Sequence, residues 1–456
     1  MKIDRHIPPK KLLPAINTFL DLSAHKILDL EKKWDPGKGT PVFTWNGRYT
    51  TRGWTEWTQG FQYGCAILQY DMTGDERFLE IGRRHTIKDM APHVSHVGVH
   101  DHGFNNISTY GNLRRLMLEG RIAANSDERN FYELALKLSG AVQAARWTPT
   151  AYGTGFIHSF NGPHSLFSDT IRSLRILGLA HELGHVLMGE GDRPINLLDR
   201  LIEHATTTAR FNVYYGDKRD AYDLPGRVVH ESIFNTNDGY YRCPSTQQGY
   251  APFSTWTRGL AWILCGYAEQ LEYLTLLKIG KKAFIIEMME KAAIATAEFH
   301  IENSFADGVP FWDTGAPGVA SFGKIATTPS DPYNDVEPLD SSAAAICGQG
   351  YLRLGNYFLN KEGPLKSNIQ KGNRYKAAAY TIAAALLQEP YLSTDTKHQG
   401  ITLHAIYHRP NGWDRIPKGR KIPCGESCMW GDYHTMELVH LIKREAENGP
   451  YPVFFK

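Results

Sequence analysis

Acids, an arginine and indoles recur in this chain at one kind of position. His100-Asp101-His102-Gly103-Phe104, Phe167-Ser168-Asp169, Trp256-Thr257-Arg258-Gly259-Leu260-Ala261-Trp262, Asp340-Ser341-Ser342 and Trp430-Gly431-Asp432-Tyr433 each stand at or just before the start of an apolar helical stretch. Trp54 and Trp57 mark one more. Two carboxyls in a partly dry site can be driven to different pKa values, so that one keeps a proton to donate. A guanidinium offers a forked donor to a carboxylate, and Trp combines an apolar face with a polar edge, which suits a sugar ring. Together these residue types favour acid/base chemistry on an anionic sugar. Each also has a structural reading. Asp is a favoured N-cap, so Asp101 and Asp169, taken singly, serve as well for capping as for catalysis. Asp340 and Asp432 read mainly as caps or scaffold. Arg258 is either a buried ion-pair member or the fork for a substrate carboxylate. His230, in Val229-His230-Glu231, and Gln248, in Gln247-Gln248-Gly249-Tyr250, carry little signal by themselves.

A second constellation competes. His181-Glu182-Leu183-Gly184-His185 matches the H-E-x-x-H pattern, in which two His on one helical face bind zinc and the Glu acts as base. A third ligand is not evident, since Glu203 and His204 lie in no distinctive motif. The match also falls at the far end of its helix, away from the positions above. Chance occurrence on a packed helix is the preferred reading, and no metal is expected.

What must position the acids is a repeating helical pair. Stretches of roughly 18 residues with apolar helical period are followed by a short polar, Gly-containing break and a second helical stretch. The breaks are Thr73-Gly74-Asp75-Glu76, Asn125-Ser126-Asp127-Glu128, Gly189-Glu190-Gly191-Asp192, Gly280-Lys281-Lys282 and Gly372-Asn373. Gly ends the first helix and the polar residues cap the second. First helices are expected near Thr55, Asn105, Asp169, Thr257, Ser341 and Gly431. The last lacks a downstream partner, and the N-terminal helix near Pro14 to Lys33 is left over to supply it. Six pairs closing on themselves predict an all-α (α/α)6 toroid, a single domain over 1–456, with few or no strands. If the first helices line the ring in parallel, all six starts meet at one mouth, and helix N-termini favour an anionic ligand. The stretches 307–339 and 389–427 are long Gly/Pro/aromatic loops, a length that is often functional.

The 456 residues include 50 Lys plus Arg against 48 Asp plus Glu, a formal net charge of +2 without a basic stripe, which argues against nucleic acid. The 10 Trp, 23 Tyr and 20 Phe fit both a large core and a sugar site. No stretch has the length of a membrane span, and the N-terminal residues lack an apolar signal region, so a cytoplasmic location is expected, or a periplasmic one if a signal has been removed. Cys65, Cys265 and Cys347 read as buried thiols, and Cys424 with Cys428 fits no strong metal motif.

The motifs HDHGF (100–104), FSDTIRSL (167–174), STWTRGLAW (254–262), GVPFWDTGAPG (308–318), LDSSAAAI (339–346) and WGDYHTMEL (430–438) resemble, in order and over nearly the whole chain, glycoside hydrolase family 88. The resemblance implies a six-hairpin toroid that removes the 4,5-unsaturated uronic acid left by polysaccharide lyases at the non-reducing end of oligosaccharides. By motif, Asp169 resembles the family's acid/base and Asp101 its second carboxylate. His100, His230, Gln248, Trp256, Arg258 and Trp262 match positions lining the unsaturated-sugar subsite. Leu260 and Thr170 depart from the residues usual there. The implied reaction is hydration of an enol ether: Asp169 protonates C4, with its pKa expected to be raised by burial and an anionic Asp101, and water adds at C5. A related toroid glycosidase acting on saturated glucuronides or unsaturated rhamnogalacturonan fragments is the alternative. No cofactor is implied; the expected partner is an anionic oligosaccharide, and the chain is expected to be a monomer or weak homo-oligomer.

Overall fold

The first helix of each pair is buried almost all round, whereas the second buries one face. Thr257–Leu276 and Ser341–Leu359 bury nearly every residue, but Glu76–Asp89 buries only Phe78, Leu79, Ile81, Gly82 and Thr86. A helix that is apolar on all sides needs neighbours on all sides, so the first helices belong in an inner ring and the second outside it. The computed structural model describes residues 1–53, 57–277, 282–360 and 368–455 and has this arrangement. The inner helices are Gln59–Thr73, the segment 102–118, the segment 170–182, Thr257–Leu276, Ser341–Leu359 and Met429–Ala446. Each packs on the next and the last returns to the first, closing the ring. The outer helices are Glu76–Asp89, Ser126–Ala145, Leu197–Phe211, Lys282–Asn303, Ile369–Leu386 and the N-terminal Leu13–Lys33, which completes the sixth pair.

The caps follow the expected chemistry. Gly74 ends its helix at φ +74°, and Asp75, Asn125 and Asn196 each accept backbone N–H groups at the start of an outer helix. Four details differ from the sequence reading. Gly372 and Asn373 lie inside the helix Ile369–Leu386, not before it. The 189–192 break is the turn of a β-hairpin, Val186–Gly189 with Arg193–Asn196. The segment 102–118 contains a π turn at Ile107–Gly111. The first inner helix begins at Gln59; the expected start at Thr55, with Trp54, lies outside the described residues, as do Gly280 and Lys281.

Strands are short and sit between helices. One three-stranded antiparallel sheet (Ser165–Phe167, Glu231–Phe234, Tyr241–Ser245) matters for the site. No helix among the described residues is long and apolar enough to cross a membrane. All six cysteines are free, and all but Cys243 are buried.

The ring's axis is charged. Arg172, Arg175 and Arg353 face Glu269 and Glu437 with nearly no solvent exposure, and Arg353 also pairs with Glu272 at 2.8 Å. Buried charges persist only when paired, so this network ties four inner helices together across the axis.

Candidate active site

Asp101 and Asp169 both occupy the N-cap position of a helix, and neither side chain caps it. Asp340, by contrast, accepts the Ser342 N–H as a cap. Asp432 is held by Tyr49 Oη, Ser427 Oγ and the N–H groups of Ile401 and Thr402, a scaffold role. The two carboxyls left without a structural partner are therefore the two that flank one imidazole. His100 Nε2 lies 3.4 Å from Asp169 Oδ1 and 3.8 Å from Asp101 Oδ1.

Local packing brings them together. A Cβ on Gly103 would meet the Ser173 carbonyl oxygen at 1.9 Å, so only glycine lets the second and third inner helices touch backbone to backbone. Across that contact Ser173 Oγ donates to the His100 carbonyl at 2.6 Å and accepts the Gly103 N–H at 2.9 Å. The short sheet does the rest. Phe167 pairs with Glu231, and the Ser168 N–H donates to the His230 carbonyl at 2.8 Å, which sets Asp169 beside His230. Arg146 donates to the carbonyls of Val97, His158 and Ser159, joining the segments that carry His100 and Phe160.

The electrostatics differ from the sequence expectation. Burial pushes Asp101 above the usual carboxyl range. Burial also raises Asp169, but His100 outweighs it and holds Asp169 below that range. Burial disfavours a charged His100, yet the two carboxylates win and its pKa is raised. The resting proton thus sits on the imidazole, and the raised carboxyl is Asp101 rather than Asp169. His230 is a neutral base, pushed down to about 4 by burial. Its Nδ1 accepts the Gln247 and Gln248 N–H groups at 3.0 and 3.3 Å, so the proton is on Nε2, which has no partner among the described residues.

A cavity of about 120 Å³ opens over His100, Asp101 and Asp169, and His230 packs against its Trp256 wall. Its walls are Trp57, Phe160, Trp256, Trp262, Tyr407 and Trp413, and its polar lining includes His100, Asp101, Asp169, Gln248, Arg258 and His408. Trp57 stacks on Trp430 with ring centres 5.0 Å apart, so the sixth inner helix contributes as well. Arg258 lines the cavity but is not a free fork. Nη1 donates to Asp340 at 3.1 Å and to the Ile406 carbonyl; Nη2 donates to Gln248 Oε1 and the Tyr407 carbonyl, both at 2.8 Å. The ion-pair reading of Arg258 describes this geometry, and Gln248, whose oxygen faces Arg258, turns its NH₂ away from it. Tyr407, His408, Asn411 and Trp413 were not singled out by type; only the length of the 389–427 loop pointed to them. Phe160 carries no sequence signal at all.

The H-E-x-x-H match does not assemble. The helix stops at Glu182, Gly184 adopts φ +74°, and His185 immediately precedes the 186–196 hairpin, so the two His do not share a helical face. Glu182 accepts the Tyr273 hydroxyl, and His204 Nδ1 accepts the Ile157 N–H. Among the described residues no three His, Cys, Asp or Glu side chains are placed to hold a metal ion.

No family model matches the chain. Relatives are nonetheless found along most of it. An unsaturated glucuronyl hydrolase of Formosa agariphila is 26% identical over 389 residues, covering 84% of this chain and 79% of the relative. One from Bacillus sp. strain GL1 is 26% identical over 410 residues, 88% of this chain and 89% of the relative. The crystal structure of the Bacillus enzyme superposes with a TM-score of 0.68 at 23% identity, covering 95% and 97% of the two chains. An unsaturated glucuronyl hydrolase described as specific for heparin gives 0.69 at 20% identity, covering 97% and 99%. Fold and relatives together define the class, a six-hairpin glycosidase. Within that class the chain is similar, over most of its length, to unsaturated glucuronyl hydrolases.

Proposed function

We propose that this enzyme releases 4,5-unsaturated uronic acid from the non-reducing end of lyase-generated oligosaccharides, by hydrating the C4=C5 enol ether. The observation that carries the reading is the pair of N-cap aspartates that cap nothing and instead share His100 under an aromatic cavity.

The geometry supports the following roles. In the open site the proton rests on His100, as an ion pair with Asp169. A sugar filling the cavity expels water, and desolvation disfavours both charged partners. The neutral pair, His100 with protonated Asp169, becomes the favoured tautomer. Asp169 then passes its proton to C4, the electron pair of the double bond forms the new C–H bond, and positive charge develops at C5, shared with the ring oxygen. Water adds at C5 and returns a proton to Asp169. The hemiketal opens to a ketone at C5, leaving C1 a hemiacetal that expels the neighbouring sugar. Asp101, whose carboxyl completes the site, orients the water. The Nε2–H of His230 and the NH₂ of Gln248 are neutral donors for the sugar's carboxylate, while Trp57, Trp256 and Trp262 supply apolar faces. No bond at the anomeric carbon is attacked, so carboxylate separation does not predict retention or inversion here.

The test is a panel of unsaturated lyase products from chondroitin, hyaluronan, heparin, gellan, ulvan and rhamnogalacturonan, followed by loss of the conjugated acid's ultraviolet absorbance, with and without a chelator. Absorbance loss on at least one uronyl product, unchanged by the chelator, is expected. Turnover of the rhamnogalacturonan product alone would move the substrate to the alternative class, and silence across the panel would overturn the reading.

A further inference from the structure

Tyr407 and His408 form part of the cavity wall, and the segment 406–408 belongs to no helix and no strand. Backbone polar groups in a buried stretch must find partners, and here charged side chains supply them. The Ile406 N–H lies 3.5 Å from Asp340 Oδ1, and the Ile406 and Tyr407 carbonyls accept from Arg258. The N–H groups of Tyr407 and His408 both donate to Asp414, one to each carboxylate oxygen, the second at 3.0 Å. Asp414 is buried, and burial raises it to about 6, with Arg258 and Arg409 acting in the opposite sense. A carboxyl is costly to bury, and its position is explained by this one contact. Tyr407 in turn packs on Trp430 and Trp413, and His408 on Trp413.

We propose that Asp414 is a positioning residue: it and Arg258 grip opposite edges of the 406–408 backbone and so hold the Tyr407/His408/Trp413 wall in the shape that receives the sugar. The inference rests on the uronyl hydrolase reading for its kinetic consequence, but not for its structural one. The wall touches the sugar without exchanging protons with it, so loosening it weakens binding and leaves the proton transfers intact.

Two measurements test this on the full chain. In hydrogen exchange without substrate, Asp414→Asn, which keeps the side chain's shape, speeds exchange in the peptide spanning residues 406–408, about tenfold for the loss of one charge-assisted bond. Peptides from Thr257–Leu276 and Met429–Ala446 exchange as in the wild type, which shows that the fold is intact. In kinetics on any product the wild type turns over, Asp414→Asn raises KM about tenfold with kcat within about twofold, and Asp414→Ala raises KM further. Unchanged exchange at 406–408, or a fall in kcat at constant KM, overturns the proposal. If the wild type turned over nothing, the uronyl reading would fail while the exchange result still decided the clamp.

Discussion

Replacing Asp169 with Asn keeps the side chain's shape and removes one of the two charges that hold His100 protonated. At 3.4 Å and an effective dielectric of about 20, the Asp169–His100 attraction is about 5 kcal/mol; Asp101 at 3.8 Å contributes about 4 kcal/mol. His100 is fully buried, and the protein contains its own control for what burial does without carboxylates: His102 is pushed down to about 4. The charge on His100 therefore depends on the pair. Asp169→Asn removes one of the two, and the imidazole titrates at lower pH than in the wild type; Asp101→Asn/Asp169→Asn carries it toward His102. Without a carboxyl to receive and deliver the proton, turnover falls by about 10²–10⁴. The assays are ultraviolet absorbance loss on a substrate the wild type accepts, and the His100 ring resonances followed through pH by NMR. Near-wild-type turnover in Asp169→Asn would remove it from the acid role. A His100 titration that does not move would refute the electrostatic argument even if activity were lost.

Two further outcomes follow from the axial charges and the buried acids. Glu437 accepts from Gln349 at 2.8 Å and faces Arg172 and Arg175 at 3.3 and 3.5 Å; burial alone raises its pKa, but the arginines hold it far below the carboxyl range. Glu437→Gln leaves those guanidiniums short of a counter-charge and should cost about 3–5 kcal/mol in urea unfolding; a loss below about 1 kcal/mol would show that the network contributes little. Asp313 is raised from 3.8 to about 6 by burial, while Tyr250, Gly315 and Ser254 donate to it. The folded state binds this proton more tightly than the unfolded chain, so its contribution is complete below about 3.8 and is lost as pH rises through about 6. Wild-type stability relative to Asp313→Asn should therefore decline across that window, and a constant difference would exclude the shift.

The helical hairpins were legible because their signals are local. Apolar period, Gly74 and the capping residues Asp75 and Asn125 act within a turn or two of one another, and six starts with acids and indoles at one end follow from the pairing. The same signals misplaced Gly372-Asn373 and missed the 186–196 hairpin, since Gly and Asp serve a β-turn as readily as a helix break. The 181–185 match shows the limit from the other side: its residue types suit zinc, but the helix ends inside it.

Along the chain, residue type and spacing determined the closed ring of helices, its mouth, and the candidates Asp101, Asp169 and His100. Which of the four helix-start aspartates is free of structural work was decided only in three dimensions, because a cap is a hydrogen bond and not a residue type. So too were the partners of Arg258, whose donors reach carbonyls of a loop 148 and 149 residues away. The sense of the pKa shifts belongs to the tertiary structure as well. Burial and charge act on Asp169 in opposite directions, and the winner is set by a distance of 3.4 Å that no local pattern encodes.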